Sequence, residues 1–183
     1  MIENIETKEL TLYDININLL DNFNRYQKVE KNWYKINGNW TLVNEKYIAD
    51  WDKTKKDSFI KLFSDTIIQK SGNVFGAYEG KKIIGFAVLY NNKFGTKGQY
   101  VLLKLLHISF GYRHKGIGKE LFGLCLEKAK ENGNEKIYVS ANNAEEAIKF
   151  YLKNGFKDAM EINDQILKED PTERQLEYII LRQ

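Results

Sequence analysis

The sequence predicts an α/β fold of the α+β mixed-sheet kind, in which helices flank one central sheet. A long apolar strand at 100–110, a helical pattern from 117 and a short strand at 136–140 follow one another. The two strands therefore run parallel and are joined by a right-handed crossover. The apolar segments 74–78 and 82–90 flank a short glycine turn, which predicts an antiparallel hairpin. Together these neighbours give a mixed, mostly antiparallel sheet.

The first 70 residues are expected to be mainly helical. Asp14 could cap a short helix that runs through Phe23. The segment 52–70 has a broad apolar face typical of a helix. Residues 26–51 contain all three tryptophans around a turn at 37–39. These tryptophans could line a pocket, but for at least two of them we favour a role in sealing the N-terminal elements onto the sheet.

The second half of the chain shows clear ends for its elements. The helix that begins near Ile117 ends at the turn Asn132-Gly133-Asn134. A second helix is predicted at 143–153 and a closing strand at 176–181. With 183 residues, a single domain over 1–183 is expected.

Composition excludes several classes of function. The net charge of +3 is too small to predict a nucleic-acid partner. The single cysteine, Cys125, allows no internal disulfide, and with two histidines no metal site is predicted. No apolar run approaches the roughly 18 residues that span a bilayer, and residues 1–15 do not resemble a signal peptide. We therefore expect a cytoplasmic monomer or homodimer with no membrane partner.

The segment Arg113-His114-Lys115-Gly116-Ile117-Gly118 lies where the long strand meets the following helix. A P-loop would need Ser or Thr where Glu120 stands, and a dinucleotide fingerprint would need Gly where Leu121 stands. The pattern Arg/Gln-x-x-Gly-x-Gly/Ala matches fully. A helix N-terminus has unpaired N–H groups, and glycines let a diphosphate approach them closely. The plainer interpretation is a basic helix start with two glycines that serve packing.

The segment from Leu103 to Phe156 resembles the GNAT superfamily of acyl-CoA N-acyltransferases. LLHISFGYRHKGIGKELF and AEEAIKFYLKNGF carry the resemblance, in this order. It implies a GNAT-like fold with a splayed parallel strand pair, in which 74–183 form the sheet and acetyl-CoA-binding core and 1–70 the variable acceptor side. It also implies acetyl-CoA as cosubstrate and direct attack by a primary amine of a small molecule or a protein.

The same resemblance implies a set of site residues. The backbones of Leu106, His107 and Ile108 would pair with the pantetheine arm, and the parallel strands would separate after Ile108. Tyr151 would lie near the thioester sulfur as the acid for the departing thiolate. Asn143 would contact the cofactor, although in the family pattern the asparagine stands where this chain has Ala144. The diphosphate would be held by the loop residues Arg113, His114, Lys115, Gly116, Ile117, Gly118 and Lys119.

Asn143 and Tyr151 have alternative interpretations, and the general base is not identified. Tyr151 could be a half-buried aromatic on a helix face with Ala147 and Ile148. Asn143 could simply cap the following helix, with Glu146 three residues on as the partner in a capping box. The amide of Ile108 is expected to stabilise the oxyanion. Neither predicted central strand contains a carboxylate that could act as the base. His107 is more often structural on such a strand, and the remaining candidates are a water chain or the carboxylates Asp50, Asp52 and Glu177.

The missing strand carboxylate favours one alternative function. A non-catalytic acyl-CoA sensor would bind the cofactor and turn over no amine.

Overall fold

The computed structural model describes residues 5–169 and 171–180, which form nine β-strands and four α-helices. The strands are β1 (Ile5–Glu9), β2 (Gln27–Ile36), β3 (Asn39–Ala49), β4 (Gly72–Glu79), β5 (Lys82–Tyr90), β6 (Tyr100–Ile108), β7 (Lys136–Ala141), β8 (Lys157–Asp158) and β9 (Arg174–Ile179). The helices are α1 (Lys53–Ile68), α2 (Ile117–Glu131), α3 (Glu145–Lys153) and α4 (Asp164–Glu169).

Seven strands form one mixed sheet in the order β1-β4-β5-β6-β7-β9-β8. Among its neighbours, β6 and β7 pair in parallel and the others are antiparallel. Helix α2 connects the parallel pair, because a parallel neighbour can be reached only by a crossover. The predicted mixed sheet, the β4–β5 hairpin and the crossover are confirmed.

The parallel strands separate earlier than predicted. Pairing between β6 and β7 runs only from Tyr100 to Leu102 on β6. Beyond Leu102, β6 stays paired with β5 as far as Ile108, whereas β7 pairs with β9 over its whole length. The expectation that the strands part after Ile108 is therefore wrong. The whole C-terminal part of β6 forms one wall of an opening, which we call the wedge, and β7 forms the other.

The expectation of a mainly helical N-terminal region, with acceptor-side helices in 1–70, is also wrong. Within it, β1 pairs with β4 at the sheet edge, and β2 and β3 form a separate hairpin. Asn37 and Gly38 both have positive φ, 50° and 83°, as a two-residue hairpin turn of type I′ requires. The helix expected from Asp14 is replaced by a short 3₁₀ turn, in which the Asp14 carboxylate accepts a hydrogen bond from the Thr11 amide at 2.8 Å.

Helices pack on both faces of the sheet. The predicted helix at 52–70 is confirmed as α1, and the Asp52 carboxylate caps it by accepting a hydrogen bond from the Lys55 amide at 2.8 Å. Phe63 of α1 is fully buried against one face of the sheet. Leu121 of α2 is fully buried against the other face. The sheet is therefore a rigid central layer, and the wedge opens within it.

The β2–β3 hairpin is fixed to the rest of the molecule near α3 and β9. The Trp33 amide donates to the Asn143 carbonyl at 2.7 Å. The Arg174 guanidinium lies 5.8 Å from the Trp33 ring and 4.7 Å from the Trp40 ring. Trp33 packs against the core on the α2 face and Trp51 against the core on the α1 face. Two of the three tryptophans therefore seal the fold, as expected.

Candidate active site

The loop before α2 presents a row of unpaired main-chain amides. Within the described residues, no hydrogen bond uses the N–H groups of residues 114–118, whereas the amides of Lys119 and Glu120 donate to the Gly116 carbonyl. His114 and Gly116 both have positive φ, 62° and 87°. A Cβ built on Gly116 would meet no atom within 4 Å, so open space lies in front of the loop. Successive unpaired amides beside open space suit an anion.

The side chains of this loop divide into two groups. Lys115 and Lys119 are exposed and add positive field around the amides, and His114 is exposed beside them. Arg113 is turned away from the loop, because its Nε donates to the Ile108 carbonyl at 3.1 Å and its Nη2 to the Arg25 carbonyl at 3.0 Å. Arg113 therefore holds the end of β6 to the N-terminal segment. The side chain of Ile117 is buried, and this residue can offer a ligand only its amide.

Along β6, the main-chain N–H and C=O groups of successive residues point alternately toward β5 and away from it. The Ser109 amide donates to the Ile84 carbonyl at 2.8 Å, which directs it toward β5. By alternation, the main-chain groups of Ile108 and Leu106 point away from β5 and into the wedge. Those of His107, which is in register with Phe86, point toward β5. Of the three backbones predicted to pair with the pantetheine arm, the structure therefore directs Leu106 and Ile108 into the wedge and His107 away from it.

The His107 side chain belongs to an aromatic cluster on the α1 face. Its ring centroid lies 4.7 Å from that of Trp51, 5.5 Å from that of Phe86 and 6.1 Å from that of Phe59. Burial, followed by the nearby charge of Arg25, lowers the pKa of His107 to about 3. The imidazole is therefore neutral at physiological pH and has a structural role.

Tyr151 lies on α3, the helix that follows the other wall of the wedge. Its ring packs edge-on against Phe150 and Phe156, with centroids 5.3 Å and 5.1 Å away, and the residue is 8% exposed. Burial raises the pKa of Tyr151 far above its ordinary value. The hydroxyl keeps its proton at neutral pH and can donate a hydrogen bond.

Asn143 lies at the end of β7, in contact with the hairpin. It is 6% exposed, and its carbonyl is the acceptor for the Trp33 amide. Helix α3 is capped by Ala144 without a side-chain bond, while the Asn142 Oδ1 accepts from the Ala144 amide at 3.0 Å. The capping box expected for Asn143 is therefore wrong. Its side-chain amide lies close to the Tyr34 hydroxyl.

A polar cluster on one face of the hairpin was not identified from the sequence. The Glu45 carboxylate accepts hydrogen bonds from the Asn32 Nδ2 and from the Tyr34 hydroxyl, each at 2.6 Å. These two donors, Tyr34 first, lower the pKa of Glu45, so the carboxylate is charged at neutral pH. The Tyr34 hydroxyl of this cluster lies close to the side chain of Asn143, which follows β7. The Asn37-Gly38 turn was the signal that could have revealed the hairpin and its cluster.

The carboxylates considered as bases differ in what they already bind. Asp52 caps α1. Glu177 is fully buried and accepts hydrogen bonds from Tyr100 and Lys136. Asp50 is exposed, and its charge acts on Arg25.

The described residues contain neither a cluster of metal ligands nor a membrane-spanning helix. Within residues 5–169 and 171–180, no group of three or more His, Cys, Asp or Glu side chains could hold a metal ion. In the same part of the chain, every helix is too short or too polar to cross a membrane.

Comparison with known proteins gives a family match by sequence. Residues 38–156 match the model of the acetyltransferase (GNAT) family. No curated protein matches the sequence.

Solved structures are similar over almost the whole chain. Nourseothricin acetyltransferase is 14% identical with a TM-score of 0.71, and the match covers 97% of this chain and 99% of that one. A protein of Bacillus anthracis str. Ames, provisionally assigned as a streptothricin acetyltransferase and bound to acetyl coenzyme A, is 21% identical with a TM-score of 0.70 over 98% and 99%. PaiA N-acetyltransferase from Thermoplasma acidophilum, in complex with coenzyme A, is 19% identical with a TM-score of 0.61 over 96% and 99%. At these identities the likeness shows the fold.

Proposed function

Because the chain belongs to the GNAT acetyltransferase family, we propose that its acetyl-CoA-dependent N-acetyl transfer takes place at the wedge, with a small-molecule amine as acceptor. The observation that carries this proposal is the row of unpaired amides at 114–118, which follows the C-terminal end of β6, the strand that forms one wall of the wedge. An anion-binding loop and an open strand edge at the same end of the sheet suit a long ligand with a diphosphate and an amide-containing arm.

Acetyl-CoA would be held by main-chain groups. The amides from His114 to Gly118 would bind its diphosphate, with Lys115 and Lys119 adding positive field. The main-chain groups of Leu106 would pair with the pantetheine arm as a neighbouring strand does, which places the thioester near Ile108. The cosubstrate supplies an activated acetyl thioester.

Two residues of the chain would then act on the reacting atoms. The Ile108 amide would donate a hydrogen bond to the carbonyl oxygen, which gains negative charge when an amine attacks the thioester carbon. The Ile108 carbonyl is already bound by Arg113, which fixes this peptide in place. Tyr151 would donate its proton to the departing sulfur, and the attacking nitrogen would lose its own proton to water. The raised pKa of Tyr151 keeps the proton on the hydroxyl at neutral pH.

The hairpin would form the acceptor side of the site. The charged Glu45 carboxylate, oriented by Asn32 and Tyr34, attracts an ammonium group, and its lowered pKa suits binding better than proton removal. Two similar structures are named for the acetylation of nourseothricin and streptothricin, which supports a small molecule as the acceptor.

The experiment that tests the proposal combines calorimetry with thiol release. Acetyl-CoA should bind the wild-type protein, and an amine panel should release free thiol. Gly116→Ala should weaken binding about fivefold or more, because a side chain at φ 87° disfavours this loop conformation by roughly 1 kcal/mol and its Cβ enters the space in front of the amides.

Gly123→Ala is the matched control. Gly123 lies on α2 with open space around it and no positive φ, so this change should leave binding intact. If Gly116→Ala binds acetyl-CoA as tightly as Gly123→Ala does, the loop is not the diphosphate site.

A further inference from the structure

Two arginines lie together at the end of β6, outside the amide loop. The Arg25 guanidinium stacks over the Trp51 ring at 5.4 Å, and its Nη1 donates to the Gln27 Oε1 at 2.7 Å. The Arg113 guanidinium is bonded to the Arg25 carbonyl. Both side chains act on His107, which they help to keep neutral. Two positive charges are thus held close together in a partly buried place.

These charges have no ion-pair partner in the described part of the chain. None of the salt bridges there, with N–O distances up to 4 Å, includes Arg25 or Arg113. The Arg25 Nε is buried and without a hydrogen-bond acceptor. Two carboxylates interact electrostatically with these arginines without forming a salt bridge. The charge of Asp50 raises the pKa of Arg25, and that of Glu146 raises the pKa of Arg113.

The electrostatic situation of Arg25 is unfavourable without a ligand. Burial first, and Arg113 second, lower the pKa of Arg25 to about 10. A partly desolvated cation beside a like charge is stabilised by an anion that reaches both. The guanidinium fork also offers paired donors that match a carboxylate or a phosphate.

The side chains of Arg25 and Arg113 lie apart from the amide loop at residues 114–118. Arg113 Nε is bonded to the carbonyl of Ile108, the residue whose amide faces the wedge. Arg25 lies on the α1 face with Trp51, where the N-terminal segment closes over the end of β6. The amides of residues 114–118 lie beyond Arg113 along the chain, and the Arg113 side chain is turned away from them.

We propose that Arg25, supported by Arg113, binds an oxyanion of the acceptor, so that the acceptor is an amine that also carries a carboxylate or a phosphate. The inference rests on the proposed function and narrows its substrate class. Glu45 would attract the amino end of the acceptor and Arg25 its anionic end. Simple diamines and polyamines, which have no anionic end, are then poor acceptors.

The kinetic test uses pairs of amines that differ in the anionic group alone. Suitable pairs are L-lysine with cadaverine, L-ornithine with putrescine, and O-phosphoethanolamine with ethanolamine. In the wild type, kcat/KM should favour the anionic member of at least one pair by about tenfold or more, and Arg25→Gln should reduce this preference to near one. Arg25→Lys should retain part of it.

The control is Lys28→Gln, which removes an exposed positive charge close in sequence to Arg25 and should keep the preference. Equal use of both members by the wild type, or a preference that survives Arg25→Gln, would overturn the proposal. So would a fall in acetyl-CoA affinity in Arg25→Gln with an unchanged acceptor preference, because the anion would then be the diphosphate.

A binding measurement decides the matter if no amine in the panel is acetylated. Protein saturated with coenzyme A, which would occupy the amide loop, is titrated with inorganic phosphate by calorimetry. Phosphate should bind the wild type and Lys28→Gln, and at least about tenfold more weakly to Arg25→Gln. Equal binding by all three, or none by the wild type, would overturn the proposal. Failure of coenzyme A itself to bind would instead count against the proposed function.

Discussion

Arg174 fastens the hairpin to the sheet, and its replacement should release the acceptor side of the site. The side chain is 9% exposed and lies against Trp33 and Trp40. It also binds both oxygens of the Asp158 carboxylate, at 2.7 Å and 2.9 Å. Arg174→Ala removes all these contacts together and leaves the half-exposed Asp158 free to be hydrated.

The expected loss follows from these contacts. Each cation–π contact contributes about 0.5–1 kcal/mol. The ion pair adds about 0.5–1 kcal/mol, a low value because Asp158 is 54% exposed. The free energy of unfolding should fall by about 1.5–3 kcal/mol, which lowers the melting temperature of a chain of this length by about 3–12 °C.

Calorimetric melting and hydrogen exchange together test this prediction. Amides of β2 and β3 should exchange faster in Arg174→Ala, while those of β4 and β5 keep their protection. The KM for the acceptor should rise and the acetyl-CoA affinity should stay constant. Asp158→Asn, the control, removes the ion pair alone and should cost less than about 1 kcal/mol. Unchanged melting of Arg174→Ala, or uniform loss of protection across the sheet, would refute the reasoning.

Two further predictions concern buried hydroxyl and carboxyl groups. Tyr151→Phe keeps the ring packing and should lower kcat by at least about tenfold with the acetyl-CoA affinity unchanged; an unaltered kcat would remove Tyr151 as the acid. Hydrogen bonds from Tyr100, the Met160 amide and Lys136 outweigh burial and lower the pKa of Glu177 below its ordinary 4.5, so its stabilisation is present above that value and is lost as the pH falls through the folded-state pKa. In urea titrations from pH 7 to pH 3, Glu177→Gln should be less stable at pH 7 by about 3 kcal/mol and lose less stability on acidification than the wild type; parallel pH curves would contradict this.

The second half of the chain could be predicted because local signals agree there. Apolar spacing, glycine at helix ends and the strand–helix–strand order all indicate the same elements. The hairpin was missed because its period of two is broken. A bulge lies between Val29 and Lys31, and Asn32 occupies a fully buried position where an apolar residue would mark a strand. The Asn37-Gly38 turn was the intact signal.

Other features of the site depend on contacts that the sequence does not encode locally. The separation of the strands after Leu102 depends on the assembled sheet, in which β6 continues along β5 and β7 continues along β9. The direction of Arg113 depends on the carbonyl of Arg25, a residue far away in the chain. The clustering of Arg25 with Arg113 therefore became visible only in three dimensions.

The early separation of β6 and β7 has a consequence for the stability of the whole molecule. A sheet normally has unpaired edges only on its two outermost strands. In this sheet β6 also has an unpaired edge, because beyond Leu102 it pairs with β5 alone. A ligand that pairs with this edge binds the folded chain and not the unfolded one. At a hundredfold excess over Kd, it adds about 2.7 kcal/mol to the free energy of unfolding. The lifetime of the protein in a cell would then rise and fall with the supply of its own cosubstrate.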